Sequence, residues 1–136
     1  MHRLVYFDTS AALKLFKEEA ESAALEAWLS GQGAALVITS DLTRTELRRG
    51  LHHAEAEAEV WRSAEEWLEG AALLRLTPAL FDQAGRLVPR SGLRSLDAIH
   101  VCAALSVAPS VVAFVAYDKR LLDAAVAVGL KAISPA

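Results

Sequence analysis

The sequence predicts an α/β domain with a mainly parallel sheet, because short apolar runs alternate with longer helical segments along the chain. The short runs are rich in Val, Leu and Ile and show almost no polar alternation, which is typical of parallel strands covered on both faces. The intervening segments repeat their apolar residues with helical periodicity. The length of 136 residues, of which 54% are hydrophobic, predicts a single globular domain over residues 1–136.

Each predicted element is bounded by turn or capping residues. The predicted strands are Leu4–Phe7, Ala35–Thr39, Leu73–Leu76, Val111–Ala116 and Lys131–Ile133. The predicted helices are Ser10–Lys17, Ala20–Ser30, Asp41–His53, Ala56–Glu69, Pro78–Val88, Leu96–Val107 and Lys119–Val128. With right-handed crossovers, this order predicts helices on both faces of the sheet.

Charge and hydropathy exclude several classes of protein. The formal net charge of −3 gives no overall attraction to nucleic acid or to anionic membranes, so nucleic-acid binding requires a local basic patch. The apolar run from Val111 to Tyr117 is too short to span a bilayer. The N-terminal run Leu4–Phe7 is too short for a secretory signal, so we expect a cytoplasmic protein. The single cysteine, Cys102, excludes an internal disulfide and a zinc finger.

Two aspartates follow predicted strands. Asp8 comes directly after Leu4–Phe7, and Asp118 comes directly after the run that ends at Tyr117. In open α/β sheets, ligands bind at the carboxyl ends of the strands, and two parallel strands would bring both aspartates to the same edge. The alternative for each residue is a helix N-cap, a position that aspartate favours.

Two further acids fall on apolar helix faces. Glu46 is the one charged residue on the apolar half of the helix that begins near Asp41, and an ion pair with Arg49 is the alternative. Asp97 is the only charge on a helix that is apolar nearly all round, where first-turn interaction with the helix dipole is the alternative. His100 lies on the same side as Asp97, and we expect it to be a hydrogen-bonded core histidine rather than a ligand.

Four converging carboxylates repel one another unless they share protons or bind a cation. An all-oxygen site without cysteine suits Mg²⁺ or Mn²⁺, and Mg²⁺ sites are commonly completed by substrate phosphate. The set therefore predicts hydrolysis of a phosphodiester by metal-activated water. Basic residues near the acids are candidates for phosphate binding, although solvated surface charge is an equally good explanation for each: Arg44, Arg48, Arg94, Lys119 and Arg120.

Four segments together resemble the motifs of PIN-domain ribonucleases, and most closely the VapC toxins of bacterial toxin–antitoxin modules. They are VYFDTSAALKL at 5–15, TEL at 45–47, SLDAIH at 95–100 and YDKRL at 117–121. The resemblance implies a three-layer α/β/α sandwich around a central, mainly parallel sheet of four to five strands. It also implies a toxic endoribonuclease dependent on Mg²⁺ or Mn²⁺, a homodimer, and neutralisation by a VapB-type antitoxin.

The resemblance assigns both catalysis and metal binding to one acidic set: Asp8, Glu46, Asp97 and Asp118. The chain departs from many relatives at Ala116, where they carry Thr or Ser. A hydroxyl that helps at the site would then come from Thr9, Ser10 or Ser95. This departure leaves open a PIN-like module that binds RNA or protein without cleavage. A receiver-like phosphatase is disfavoured because it needs a second acid near Asp8.

Overall fold

A computed structural model describes residues 2–87 and 92–136. Within these ranges a single sheet contains all the strands, in the order β3-β2-β1-β4-β5. The strands are β1 (Leu4–Phe7), β2 (Leu36–Ser40), β3 (Ala72–Leu74), β4 (Val111–Val115) and β5 (Ala132–Ile133). Each neighbouring pair is parallel, which confirms the predicted sheet.

Helices connect the strands. They are α1 (Thr9–Lys14), α2 (Ser22–Ser30), α3 (Leu42–His53), α4 (Ala58–Gly70), α5 (Pro78–Arg86), α6 (Ser95–Leu105) and α7 (Lys119–Ala127). A short 3₁₀ turn at Ala108–Ser110 precedes β4. The end predicted for the fifth helix, Val88, lies outside the described residues.

Alternate residues of the central strands face two separate cores, as the period of two in a β-strand requires. On one face Tyr6 and Phe114 pack with α6 and α7. On the other face Val5, Phe7 and Val115 pack with α1 and α2. The sheet is thus covered on both faces, which confirms the α/β/α arrangement.

The loop between α1 and α2 accounts for the largest error in the predicted helix boundaries. Ser22 accepts a hydrogen bond from the Glu19 N–H at 2.9 Å and donates one to the Lys14 carbonyl at 3.0 Å. The Lys14 ammonium lies 3.2 Å from Glu19 and 3.3 Å from Glu21. These contacts end α1 at Lys14 rather than at Lys17 and start α2 at Ser22 rather than at Ala20.

Thr39 joins β1 to β2 by a side-chain hydrogen bond. It is fully buried, and its hydroxyl donates to the Phe7 carbonyl at 2.7 Å and lies 2.7 Å from the Thr43 hydroxyl. We expect Thr39→Val to lower the free energy of unfolding by about 1–3 kcal/mol, because it leaves buried polar groups without a partner. Urea denaturation measures this loss. The exposed Thr45→Val should change stability by no more than about 0.5 kcal/mol, and equal losses would contradict the role given to Thr39.

None of the described helices combines the length and the apolarity needed to cross a membrane.

Candidate active site

Asp8 lies at the carboxyl end of β1, beside the end of β4. Its backbone N–H donates to the Val115 carbonyl at 3.1 Å, and its side chain is buried. The carboxylate accepts two hydrogen bonds through Oδ1, from the Ser10 hydroxyl at 2.7 Å and from the Ala11 N–H at 2.9 Å. Asp8 therefore caps α1 as well as standing at the sheet edge, and Ser10 holds its carboxylate in place.

Asp118 stands at the same edge, after β4, and is exposed. It caps α7 through Oδ1, which accepts from the N–H groups of Arg120 at 2.8 Å and Leu121 at 3.3 Å. The capping role considered for both aspartates is thus present at both. Each cap engages Oδ1, and within residues 2–87 and 92–136 the second oxygen of neither carboxylate receives a hydrogen bond.

Glu46 reaches the edge from α3. Its Oε1 accepts a hydrogen bond from the Thr9 hydroxyl at 2.6 Å and lies 2.9 Å from His100 Nε2. Burial opposes ionisation, but the hydrogen bonds from His100 and Thr9 outweigh it, so the pKa of Glu46 lies below its ordinary value. Among the described residues, Glu46 forms no ion pair with Arg49.

Asp97 lies in the first turn of α6, where the N-cap residue is Arg94. Burial raises the pKa of Asp97, and the negative charges of Asp118 and Glu46 raise it further. Burial likewise raises the pKa of Asp8, with a smaller contribution from the charge of Asp97. Asp97 is therefore near enough to Asp8, Glu46 and Asp118 for like charge to act between them, while the positive charges of His100 and Arg94 partly offset the rise in the pKa of Asp97.

The donor set suits a hard cation. Every candidate ligand is a carboxylate oxygen, the ligand type that Mg²⁺ and Mn²⁺ prefer. Within residues 2–87 and 92–136, no three His, Cys, Asp or Glu side chains lie close enough to enclose a metal ion. The arrangement thus fits a cation held by one or two carboxylates together with water, which is how Mg²⁺ usually binds to proteins.

A family model for the PIN domain matches residues 5–127. The chain belongs to the PIN domain family. Ribonuclease VapC47 of Mycobacterium tuberculosis (strain CDC 1551 / Oshkosh) is 40% identical over 135 residues, covering 97% of both chains. Ribonuclease VapC35 of the same strain is 38% identical over 140 residues, again covering 97% of both.

A solved structure has the same fold as this PIN domain. It is Mycobacterium tuberculosis VapC20, described as a toxin that cleaves the sarcin–ricin loop, and it superposes with a TM-score of 0.75. The match covers 96% of this chain and 99% of that one at 18% sequence identity. At this identity the likeness supports the three-layer fold alone.

Two buried side chains of the PIN domain that were not predicted as site residues lie behind Glu46: His100 contacts Glu46, and Tyr6 contacts His100. His100 is 2% exposed and Tyr6 is fully buried. The Tyr6 hydroxyl lies 2.8 Å from His100 Nδ1, and the other ring nitrogen faces Glu46. The expectation of a hydrogen-bonded core histidine is confirmed, but its partner is Glu46. The same-side spacing of Asp97 and His100 was the only sequence signal.

The candidate phosphate-binding residues of the PIN domain differ in their contacts. Arg48 forms a bidentate ion pair with Glu65, with both N···O distances at 2.7 Å. Lys119 lies 2.9 Å from Asp123. The remaining predicted residues are exposed on the surface: Arg44, Arg94 and Arg120.

Position 116 is an alanine, so this PIN domain has no side-chain hydroxyl there, and the methyl group is fully buried. Two of the three candidate hydroxyls contact acids of the set: Thr9 binds Glu46 and Ser10 binds Asp8. The third candidate, Ser95, is exposed at the start of α6.

Proposed function

We propose that this PIN domain is the toxin of a type II toxin–antitoxin pair, an endoribonuclease that hydrolyses RNA phosphodiester bonds with Mg²⁺ or Mn²⁺. The observation that carries the proposal is that Asp8 and Asp118 follow the neighbouring parallel strands β1 and β4, with Glu46 hydrogen-bonded to Thr9 beside Asp8. The relatives named as ribonucleases, which match nearly the full length of the chain, support the same activity.

The cation would lie among Asp8, Glu46, Asp97 and Asp118, with one or two of these carboxylates binding it directly and the others acting through its bound water. Thr9 and Ser10 support this by binding Oε1 of Glu46 and Oδ1 of Asp8. A bound Mg²⁺ or Mn²⁺ supplies stabilisation of the charge that develops on the phosphate and lowers the pKa of a water molecule. By holding the cation, the acids would determine where the phosphate of the RNA binds.

RNA would approach through the exposed arginines. Arg44 and Arg94 lie on or beside the helices that carry Glu46 and Asp97, and Arg120 follows Asp118. Positive charge at these points attracts phosphate locally, despite the net charge of −3. Arg48 and Lys119 would first have to break their ion pairs with Glu65 and Asp123. We therefore consider them weaker candidates for phosphate binding than Arg44, Arg94 and Arg120.

The likeness to VapC proteins also supports a VapB-type antitoxin as the partner and a homodimer as the assembly. We propose a single PIN domain over residues 1–136. A domain that binds RNA or protein without cleaving it is the second candidate, and the buried Ala116 is the observation that favours it.

Cleavage of a structured RNA by the purified protein tests the proposal. We expect cleavage with Mn²⁺ and none with EDTA, because the acids need a cation to bring a phosphate into their negative field. Cleavage that persists in EDTA would contradict the metal requirement. RNA binding without cleavage in Mn²⁺ would favour the second candidate instead.

A further inference from the structure

A buried line of hydrogen bonds leads from the sheet to Glu46. It starts at Tyr6 in β1, whose hydroxyl lies 2.8 Å from His100 Nδ1, and continues from His100 Nε2 to Glu46 Oε1 at 2.9 Å. The Tyr6 ring stacks on Phe114 at 5.4 Å between centroids with an interplanar angle of 3°. The Tyr6 ring also makes an edge-to-face contact with the His100 imidazole, with an interplanar angle of 71° and 5.9 Å between ring centroids. Both rings are thus held by packing as well as by hydrogen bonds.

The direction of each hydrogen bond follows from the groups involved. An ionised carboxylate can only accept, so His100 Nε2 must carry a hydrogen and donate it to Glu46. A tyrosine hydroxyl carries a proton at neutral pH, so Tyr6 can donate to His100 Nδ1. This arrangement fixes the tautomer and the orientation of the imidazole from its far side, as an outer partner does for a ligating residue.

The two donors at Glu46 meet on one oxygen. Thr9 and His100 both bind Oε1, while Oε2 receives no hydrogen bond from the described parts of the chain. The glutamate side chain is 26% exposed and would otherwise sample several rotamers. Two donors on Oε1 hold the carboxylate in one orientation and leave Oε2 as the oxygen that is available.

We propose that Tyr6 and His100 are positioning residues, which orient the Glu46 carboxylate so that its second oxygen can bind a divalent cation. The inference rests on the proposed function, because it assumes that Glu46 helps to hold that cation. His100 acts through Glu46 and Tyr6 acts through His100.

Mn²⁺ affinity of the purified protein, measured by titration calorimetry, tests this positioning role. Tyr6→Phe removes one hydroxyl and keeps the stacked ring, and we expect it to weaken Mn²⁺ binding by about 10-fold or more, as the loss of outer-shell partners commonly does. Tyr117→Phe is the matched control, since that hydroxyl donates to the Pro135 carbonyl at 2.8 Å and does not touch Glu46. The control should bind Mn²⁺ like the parent.

A second pair of variants keeps the test decisive if Tyr6→Phe folds poorly. His100→Gln retains a side-chain N–H near the position of Nε2, whereas His100→Asn is too short to reach Glu46. We therefore expect the glutamine variant to bind Mn²⁺ more tightly than the asparagine variant, at matched thermal stability.

Parent-like Mn²⁺ affinity in Tyr6→Phe or in His100→Asn overturns the positioning role and leaves the proposed function standing. If the parent itself binds no Mn²⁺, both the proposed function and the inference are overturned. Cleavage assays run beside the titrations show which proposal has failed. If the parent binds Mn²⁺ and cleaves RNA, parent-like Mn²⁺ affinity in the variants contradicts the positioning role alone.

Discussion

Glu46→Gln is expected to lower Mn²⁺-dependent RNA cleavage by more than about 100-fold, since even outer-shell partners of a metal commonly contribute 10- to 100-fold. The amide keeps an oxygen that can accept from Thr9 and His100, so the fold should survive. It places a neutral NH₂ group where the glutamate offers Oε2. The charge that helps to hold the cation is thereby lost. Initial cleavage rates at saturating RNA measure the effect.

The exposed Glu57→Gln provides the control for Glu46→Gln, because it makes the same chemical change away from the sheet edge. It should cleave RNA at the parental rate. Circular dichroism and thermal melting should show that both variants are folded. If Glu46→Gln retained most of the Mn²⁺-dependent rate, Glu46 would not be a site residue.

Asp97→Asn is expected to abolish cleavage while leaving the metal-free protein at least as stable as the parent. Burial and the charges of Asp118 and Glu46 raise the pKa of Asp97 in the folded state. The stability contributed by its proton is therefore present at acidic pH and is lost as pH rises through the raised pKa. The variant has no such loss, so its stability relative to the parent should increase across that pH range. Thermal melts in EDTA at several pH values measure this difference.

Adding Mn²⁺ should make the parent more stable than the Asp97→Asn variant, the reverse of their order of stability without metal. A ligand at 100 times its dissociation constant stabilises a folded protein by about 2.7 kcal/mol, and we expect the parent to gain about this much with Mn²⁺. The variant should gain much less. If Asp97 served only the helix dipole, Mn²⁺ would raise the melting temperature of both proteins equally, and that result would remove Asp97 from the site.

The strands were predicted to within one or two residues because buried parallel strands are apolar on both faces, and few other segments of this chain are. Helix ends were predicted less well where a side chain makes contacts beyond its own helix. The start of α2 is one example, since Ser22 binds the end of α1. The helix propensities of the residues around Ser22 cannot predict that contact.

The acidic set could be proposed from the sequence because Asp8 and Asp118 follow strands expected to share one sheet edge, and Glu46 and Asp97 fall on apolar helix faces. The line from Tyr6 to Glu46 could not be proposed. Tyr6 and His100 are 94 positions apart, and each has the pattern of an ordinary core residue in its own element. Only the packing of α6 against β1 in the folded protein shows that the Tyr6 hydroxyl and the His100 ring meet.

The strand order also determines when the acidic site can form during synthesis. The central strands β1 and β4 are direct neighbours, yet Asp8 and Asp118 are 110 residues apart in the chain. A ribosome adds about 5–20 residues per second, so roughly 5 to 20 s separate the synthesis of the two aspartates. Asp97 and β4 also emerge late. A nascent chain therefore carries Asp8, Thr9 and Glu46 for much of its translation without Asp97 and Asp118, the two acids that complete the proposed cluster.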